Sequence, residues 1–107
     1  MTRLAARVMW ILQSSGPDAG SLTFRVSPGA VKTVGRAQRA DFVVDAALVS
    51  RLHCRLEAGD DGLDVIDLES TNGTYVNDRR VARARVSAGD RLRVGRVELT
   101  VERAEDG

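Results

Sequence analysis

The stretch Val97-Glu98-Leu99-Thr100-Val101-Glu102 changes between apolar and polar at every residue. A period of two puts Val97, Leu99 and Val101 on one face of a pleated strand and the polar set on the other. The same rhythm recurs upstream. Leu22, Phe24 and Val26 alternate with Ser21, Thr23 and Arg25, and Leu52, Cys54 and Leu56 alternate with Arg51, His53 and Arg55. Val8–Leu12 and Phe42–Val44 are short continuous apolar runs, expected as strands covered on both faces. Turn clusters at Ser14–Gly20, Ser27–Gly29, Gly59–Gly62, Thr71–Gly73, Asn77-Asp78 and Ser87–Asp90 break the runs at the roughly 8–12-residue spacing of a sandwich or barrel. Only Asp45–Val49 is friendly to a helix, and it is too short to stand alone. The chain is therefore expected to be all-β, a two-sheet β-sandwich.

The 107 residues suit one domain, residues 1–107. Its core is expected over about residues 8–102, with fraying, patternless ends at Met1–Ala6 and Ala104–Gly107. Hydrophobic residues make up 43% of the chain, too many for a disordered polymer, and with only 4% aromatic the core must be built from aliphatics. The 16 basic and 15 acidic residues leave a charge of +1, which excludes a large overall positive field. The longest apolar run, Val8–Leu12, is far short of the ~20 residues of a spanning helix and is too short for a secretory leader. A single cysteine, Cys54, and a single histidine, His53, exclude an internal disulfide and a structural zinc site. An intracellular, metal-free chain is expected, cytoplasmic or, in a eukaryote, nuclear.

Little here suggests catalysis. His53 and Cys54 are adjacent on one strand and point to opposite faces, so they cannot pair as base and nucleophile. Cys54 is expected in the core beside Leu52 and Leu56. No phosphate-cradling glycine motif is present, so no nucleotide or other cofactor is expected. The cations are more telling, because fifteen are arginine and only Lys32 is lysine. Arginine presents a planar fork that meets phosphate or carboxylate oxygens in pairs.

Two groups of arginines stand out. Between Arg79 and Arg96 lie seven arginines against Asp90 alone. If Arg83/Arg85 and Arg91/Arg93 sit on hairpin partners, four guanidiniums share one solvent face. That face could dock a partner without any phosphate, or bind nucleic acid weakly. It could equally be a solvated face balanced by acids from neighbouring strands, and nucleic acid is disfavoured because Trp10, Phe24, Phe42 and Tyr75 all hold strand positions. The second group is dispersed: Gly35-Arg36, Ser50-Arg51 and Thr71-Asn72-Gly73. Gathered at one end of a sandwich, these would form a donor-rich pocket suited to a phosphate monoester. Read singly, Ser50 could be a strand cap, Asn72-Gly73 a plain hairpin turn and Arg36 a surface residue.

In order, Gly35-Arg36, Asp41–Val44, Val49-Ser50-Arg51-Leu52-His53, Asp67–Asn77 (DLESTNGTYVN) and Gly89–Gly95 (GDRLRVG) closely resemble the forkhead-associated (FHA) domain over about Val8–Glu102. The resemblance implies a sandwich of about eleven strands that binds phosphothreonine-containing proteins, the products of Ser/Thr kinases, through loops at one end. No membrane partner is expected, and a monomer is. By the same resemblance, Arg36 pairs with the phosphate, Ser50 donates its hydroxyl, and Arg51 adds a backbone or side-chain donor. Thr71 contacts the phosphate from a third loop, and Asn72 bonds the peptide backbone. Gly35 and Gly73 serve as backbone necessities, and His53 buttresses Ser50. Leu48, Arg39 and the turn near Ser87 are expected to read the residue three after the phosphothreonine.

Overall fold

The computed structural model describes residues 7–14, 16–17 and 20–106. Its eleven strands are β1 (Arg7–Ser14), β2 (Leu22–Val26), β3 (Val31–Gly35), β4 (Phe42–Val43), β5 (Cys54–Ala58), β6 (Leu63–Asp67), β7 (Thr74–Val76), β8 (Arg79–Val81), β9 (Arg83–Val86), β10 (Arg91–Val94) and β11 (Val97–Asp106). They form a six-stranded sheet in the order β2-β1-β11-β10-β7-β8 and a five-stranded sheet in the order β4-β3-β5-β6-β9. All pairings are antiparallel except β3 with β4, where the loop 36–41 doubles back to lay Phe42 beside Val34. Asp41 pins that loop: its carboxylate accepts from the Thr33 amide at 2.8 Å, and its own amide donates to the Thr33 hydroxyl at 3.0 Å.

The alternating patterns face each other across the sandwich. Trp10, Leu12, Val26, Leu92, Leu99 and Val101 from one sheet bury against Val34, Leu56, Leu63, Val65 and Val86 from the other. Each fully buried Leu or Val contributes about 1.5–3 kcal/mol. Phe24 on edge strand β2 stacks on Phe42 of edge strand β4, with centroids 4.5 Å apart, and closes one side of the sandwich. Trp10 completes its burial by donating its indole N–H to the Gly59 carbonyl at 2.8 Å.

Several expectations change. Val8–Leu12 is not covered on both faces: Val8, Trp10 and Leu12 are buried, while Met9 and Ile11 stay half-exposed on the outer face. Ala104–Asp106 do not fray, because β11 continues against β1 until Asp106 pairs with Arg7. Residues 1–6 and Gly107, where fraying was also expected, lie outside the described residues. Asp45–Val49 is not helical, and the chain turns at Ala47-Leu48. The strand expected from Leu52 begins only at Cys54, and His53 is as buried as Cys54 because the chain around Gly73 roofs its outer side.

The four-arginine face does not exist. The turn at Ser87–Asp90, closed by the Ser87 amide on the Asp90 carboxylate at 2.9 Å, carries the chain from one sheet to the other. Arg83 and Arg85 therefore lie on the five-stranded sheet and both bond Asp64, at 3.2 and 3.1 Å. Arg91 pairs with Asp78 at 3.1 Å on the other sheet, and the Arg93 guanidinium lies 4.2 Å from the centroid of Tyr75. The balanced-face reading holds for Arg83, Arg85 and Arg91.

Cys54 sits in the core as expected. Burial, reinforced by the negative Asp67, pushes its thiol up to about 12. The thiolate is the reactive form, so native protein should leave a disulfide reagent unreacted at about pH 8 and consume it stoichiometrically once denatured. Rapid native labelling would show that the core around β5 opens.

Candidate functional site

Three connections converge at one end of the sandwich: residues 36–41 after β3, residues 44–53 between β4 and β5, and residues 68–73 between β6 and β7. They enclose a cleft of about 440 Å³ lined by Arg36, the run Asp45–Ser50, Thr71 and Asn72. Gly95, in the turn between β10 and β11, packs against Ala47 and Val49 and so marks the same end.

Hydrogen bonds tie each connection to the next. The Arg36 amide donates to the Ser50 carbonyl at 2.9 Å, and the Ala37 amide donates to that of Arg51 at 3.1 Å. The Arg36 side chain spends only Nε, which donates to the Val49 carbonyl at 3.0 Å. Its terminal nitrogens stay open, and among the described residues no carboxylate forms an ion pair with it. The Ser50 hydroxyl oxygen accepts from the Thr71 amide at 3.0 Å, which leaves the hydroxyl proton free to donate outward. Asn72 Nδ2 donates to the Leu48 carbonyl at 3.0 Å, leaving its carbonyl oxygen and a second N–H for a ligand.

His53 is the hub beneath these bonds and is fully buried. Its Nδ1 accepts from the Ser50 amide at 3.0 Å, and its Nε2 lies 2.8 Å from the Gly73 carbonyl. The amide can only donate and the carbonyl can only accept, so both bonds require the neutral ring with the proton on Nε2. Two glycines make the closeness possible. A Cβ on Gly35 would collide with the Arg51 carbonyl oxygen, and Gly73 has φ near 90°, a conformation only glycine adopts readily.

Most of the expected residues gather here, and some do not. Arg36, Ser50, Thr71 and Asn72 line the cleft, with Gly35, His53 and Gly73 behind them. Arg51 is exposed beside the cleft but outside its lining, and its carbonyl is spent on Ala37. Leu48 lines the cleft, 46% exposed and held at φ 71°. Arg39 is exposed away from the lining, and the Ser87 turn lies at the opposite end, next to the start of β6.

Two further features take shape only in the fold. One is Asp45, a carboxylate in the lining of a cleft otherwise rich in donors. The other is Asp67, whose carboxylate accepts from the Ser70 and Thr74 hydroxyls at 2.6 and 2.7 Å, while the Ser70 oxygen in turn takes the Gly73 amide at 2.9 Å. The signal was an aspartate three residues before a serine, the spacing of a side-chain-closed turn.

Burial raises the Asp67 carboxyl, but the bonds from Ser70 and Thr74 outweigh it and hold it below the usual carboxylate value. The hydrogen bond from Arg85 lowers Asp64, and those from Thr33 lower Asp41. Carboxyls held low when folded contribute stability that is complete above the unfolded value of about 4 and is lost as pH falls through their folded values. Melting temperature should therefore hold steady down to about pH 5 and fall below about pH 4. Asp67→Asn should flatten that acid limb, and an unchanged acid slope in the variant would remove Asp67 from the account.

Cross-linked loops that hold open donors around a cleft, on a sandwich built without them, define a binding module. Comparison with known proteins gives the family. The FHA domain profile matches residues 32–95. The chain is 38% identical over 96 residues to the ABC transporter ATP-binding/permease protein Rv1747 of Mycobacterium tuberculosis, covering 90% of this chain and 10% of that protein. It is 36% identical over 84 residues to the glycogen accumulation regulator GarA of the same organism, covering 78% of this chain and 51% of GarA. Among solved structures, the FhaA FHA domain complexed with the intracellular domain of Rv3910 superposes with a TM-score of 0.74 at 32% identity, over 89% of this chain and 99% of that one. A structure described as an analysis of phosphothreonine-dependent FHA domain interactions superposes at 0.75 with 31% identity, over 90% and 95%. The chain belongs to the FHA domain family, whose members are interaction modules. It spans only a tenth of Rv1747 and about half of GarA.

Proposed function

We propose that this chain recognises phosphothreonine in partner proteins modified by a Ser/Thr kinase, and that it does so without turnover. The observation that carries this reading is the Arg36 guanidinium, anchored through Nε to Val49 with its terminal nitrogens uncommitted at the cleft. These nitrogens meet two phosphate oxygens, and the Ser50 hydroxyl and the Thr71 side chain supply further donors. Asn72 bonds the peptide backbone and so sets its direction. Each charge-assisted bond contributes about 1.5–3 kcal/mol, so three or four account for most of the ~8 kcal/mol of a micromolar complex.

Phosphate contacts alone do not separate phosphothreonine from phosphoserine. The extra methyl needs apolar surface, and Ala46, Ala47, Leu48 and Val49 supply it in the lining. Burying one methyl contributes up to about 0.8 kcal/mol, a few-fold preference for threonine. Arg51, exposed beside the lining, adds a backbone or side-chain donor at the rim.

Similarity to GarA, named a regulator, and to the FhaA domain captured on an intracellular partner favours a regulatory, intracellular role. Among the described residues no helix is long and apolar enough to cross a membrane. We take residues 7–106 as a single binding domain that works as a monomer. Titration with matched phosphothreonine, phosphoserine and unmodified peptide libraries tests the reading. Binding that ignores phosphorylation would overturn it. Binding that falls steeply with salt for any polyanion would instead mark non-specific charge attraction.

A further inference from the structure

Beside the cleft, on the outer face of the six-stranded sheet, Arg80 packs over a glycine. A Cβ on Gly73 would stand 2.6 Å from Arg80 Nε and 3.0 Å from its Cζ, so the guanidinium occupies the space that a side chain next to Asn72 would need. Among the described residues no hydrogen bond explains that position. The Gly73 amide goes to Ser70 and its carbonyl to His53. Tyr75, the register partner of Arg80, already carries Arg93 on its ring. Arg55, Arg83, Arg85, Arg91 and Arg103 have carboxylate partners, whereas among the described residues Arg80, like Arg25, Arg79 and Arg93, has none, and of these four Arg80 is the one packed over Gly73. β8 is an edge strand, and Arg80 is exposed. The protein thus presents an unneutralised guanidinium, placed by packing, one residue from the cleft lining.

We propose that Arg80 is a second anion-reading residue, which takes a carboxylate or a second phosphate flanking the phosphothreonine on the Asn72 side. This rests on the phosphothreonine reading above. A ligand whose backbone is bonded by Asn72 passes directly beside Gly73, so an acidic group there meets Arg80 without any loop moving. Ligand preference then extends beyond the modified residue to an acidic neighbour.

The test uses phosphothreonine peptide libraries in which Glu, Ala or phosphoserine is fixed in turn at each flanking position, titrated against wild type, Arg80→Ala, Arg80→Lys and Arg79→Ala. Arg79 is opposite the buried Val76 and faces away from Arg80, so it controls for loss of charge alone. One flanking position should bind Glu about three- to fivefold tighter than Ala, the scale of an exposed ion pair, and phosphoserine tighter still. The preference should vanish in Arg80→Ala, persist in part in Arg80→Lys and survive Arg79→Ala, while the Ala-peptide affinity stays unchanged. A flanking-acid preference that survives Arg80→Ala, or no such preference at any position in wild type, would overturn the assignment while leaving phosphothreonine binding intact. If wild type binds none of the phosphothreonine peptides, the parent reading fails and takes this one with it.

Discussion

Arg36→Ala should weaken binding of a phosphothreonine peptide by at least about a hundredfold, because two charge-assisted bonds of ~1.5–3 kcal/mol each disappear. The same change removes only one hydrogen bond from the free protein, Nε to the Val49 carbonyl, and Arg36 is exposed. Melting temperature should therefore move by no more than a few degrees. Arg36→Lys should fall between, since an ammonium cannot reach Val49 and also present a planar pair of donors to the phosphate. Fluorescence anisotropy with a labelled peptide, set beside a thermal melt, separates the two effects. Affinity within about threefold of wild type would remove Arg36 from the phosphate site.

His53→Ala should lower stability by about 3 kcal/mol or more. It orphans the Ser50 amide and the Gly73 carbonyl, at about 1–3 kcal/mol each, and leaves a cavity under the loops. For a domain near 100 residues that corresponds to a fall of at least about 10–20 °C in melting temperature. Peptide affinity should fall as well, since Ser50 and Asn72 lose their common anchor. His53→Asn offers an acceptor where Nδ1 stood, and His53→Gln a donor that reaches toward Gly73, so each should recover part of the loss. A melt unchanged by His53→Ala would contradict the buttress. Lost stability with untouched affinity would show that the loops hold their positions without it.

The strands were legible wherever one face meets the core, because burial then forces alternation, as at Leu22–Val26 and Val97–Glu102. Reading failed where tertiary context overrides the local pattern. Nothing within Ser87–Asp90 distinguishes a hairpin from a crossing between sheets, so the sequence leaves open a single face for the arginines on either side, and the fold makes it two. Ala104–Asp106 carry no rhythm of their own and are strand only because β1 lies alongside. His53 occupies a polar position in its strand, and its burial comes from a segment twenty residues away. At the site, residue types and order were visible through the family resemblance. The meeting of residues 36, 50 and 72 is a property of topology, which no local pattern encodes. Arg80 is one of seven arginines in a run, and what sets it apart is the contact with Gly73 beside the cleft combined with the lack, among the described residues, of a carboxylate partner such as Arg85 has in Asp64.

The pairing of Arg7 with Asp106 brings the first and last described strands out side by side, and β11 runs from the cleft end at Val97 to the far pole. A tether, a surface or a neighbouring protein reached through Arg7 or Asp106 would therefore sit behind the molecule, with the mouth of the cleft facing away from it. Two attachments at once would leave that mouth equally open. Such a module can be hung from, or spliced into, very different hosts with its geometry of capture intact.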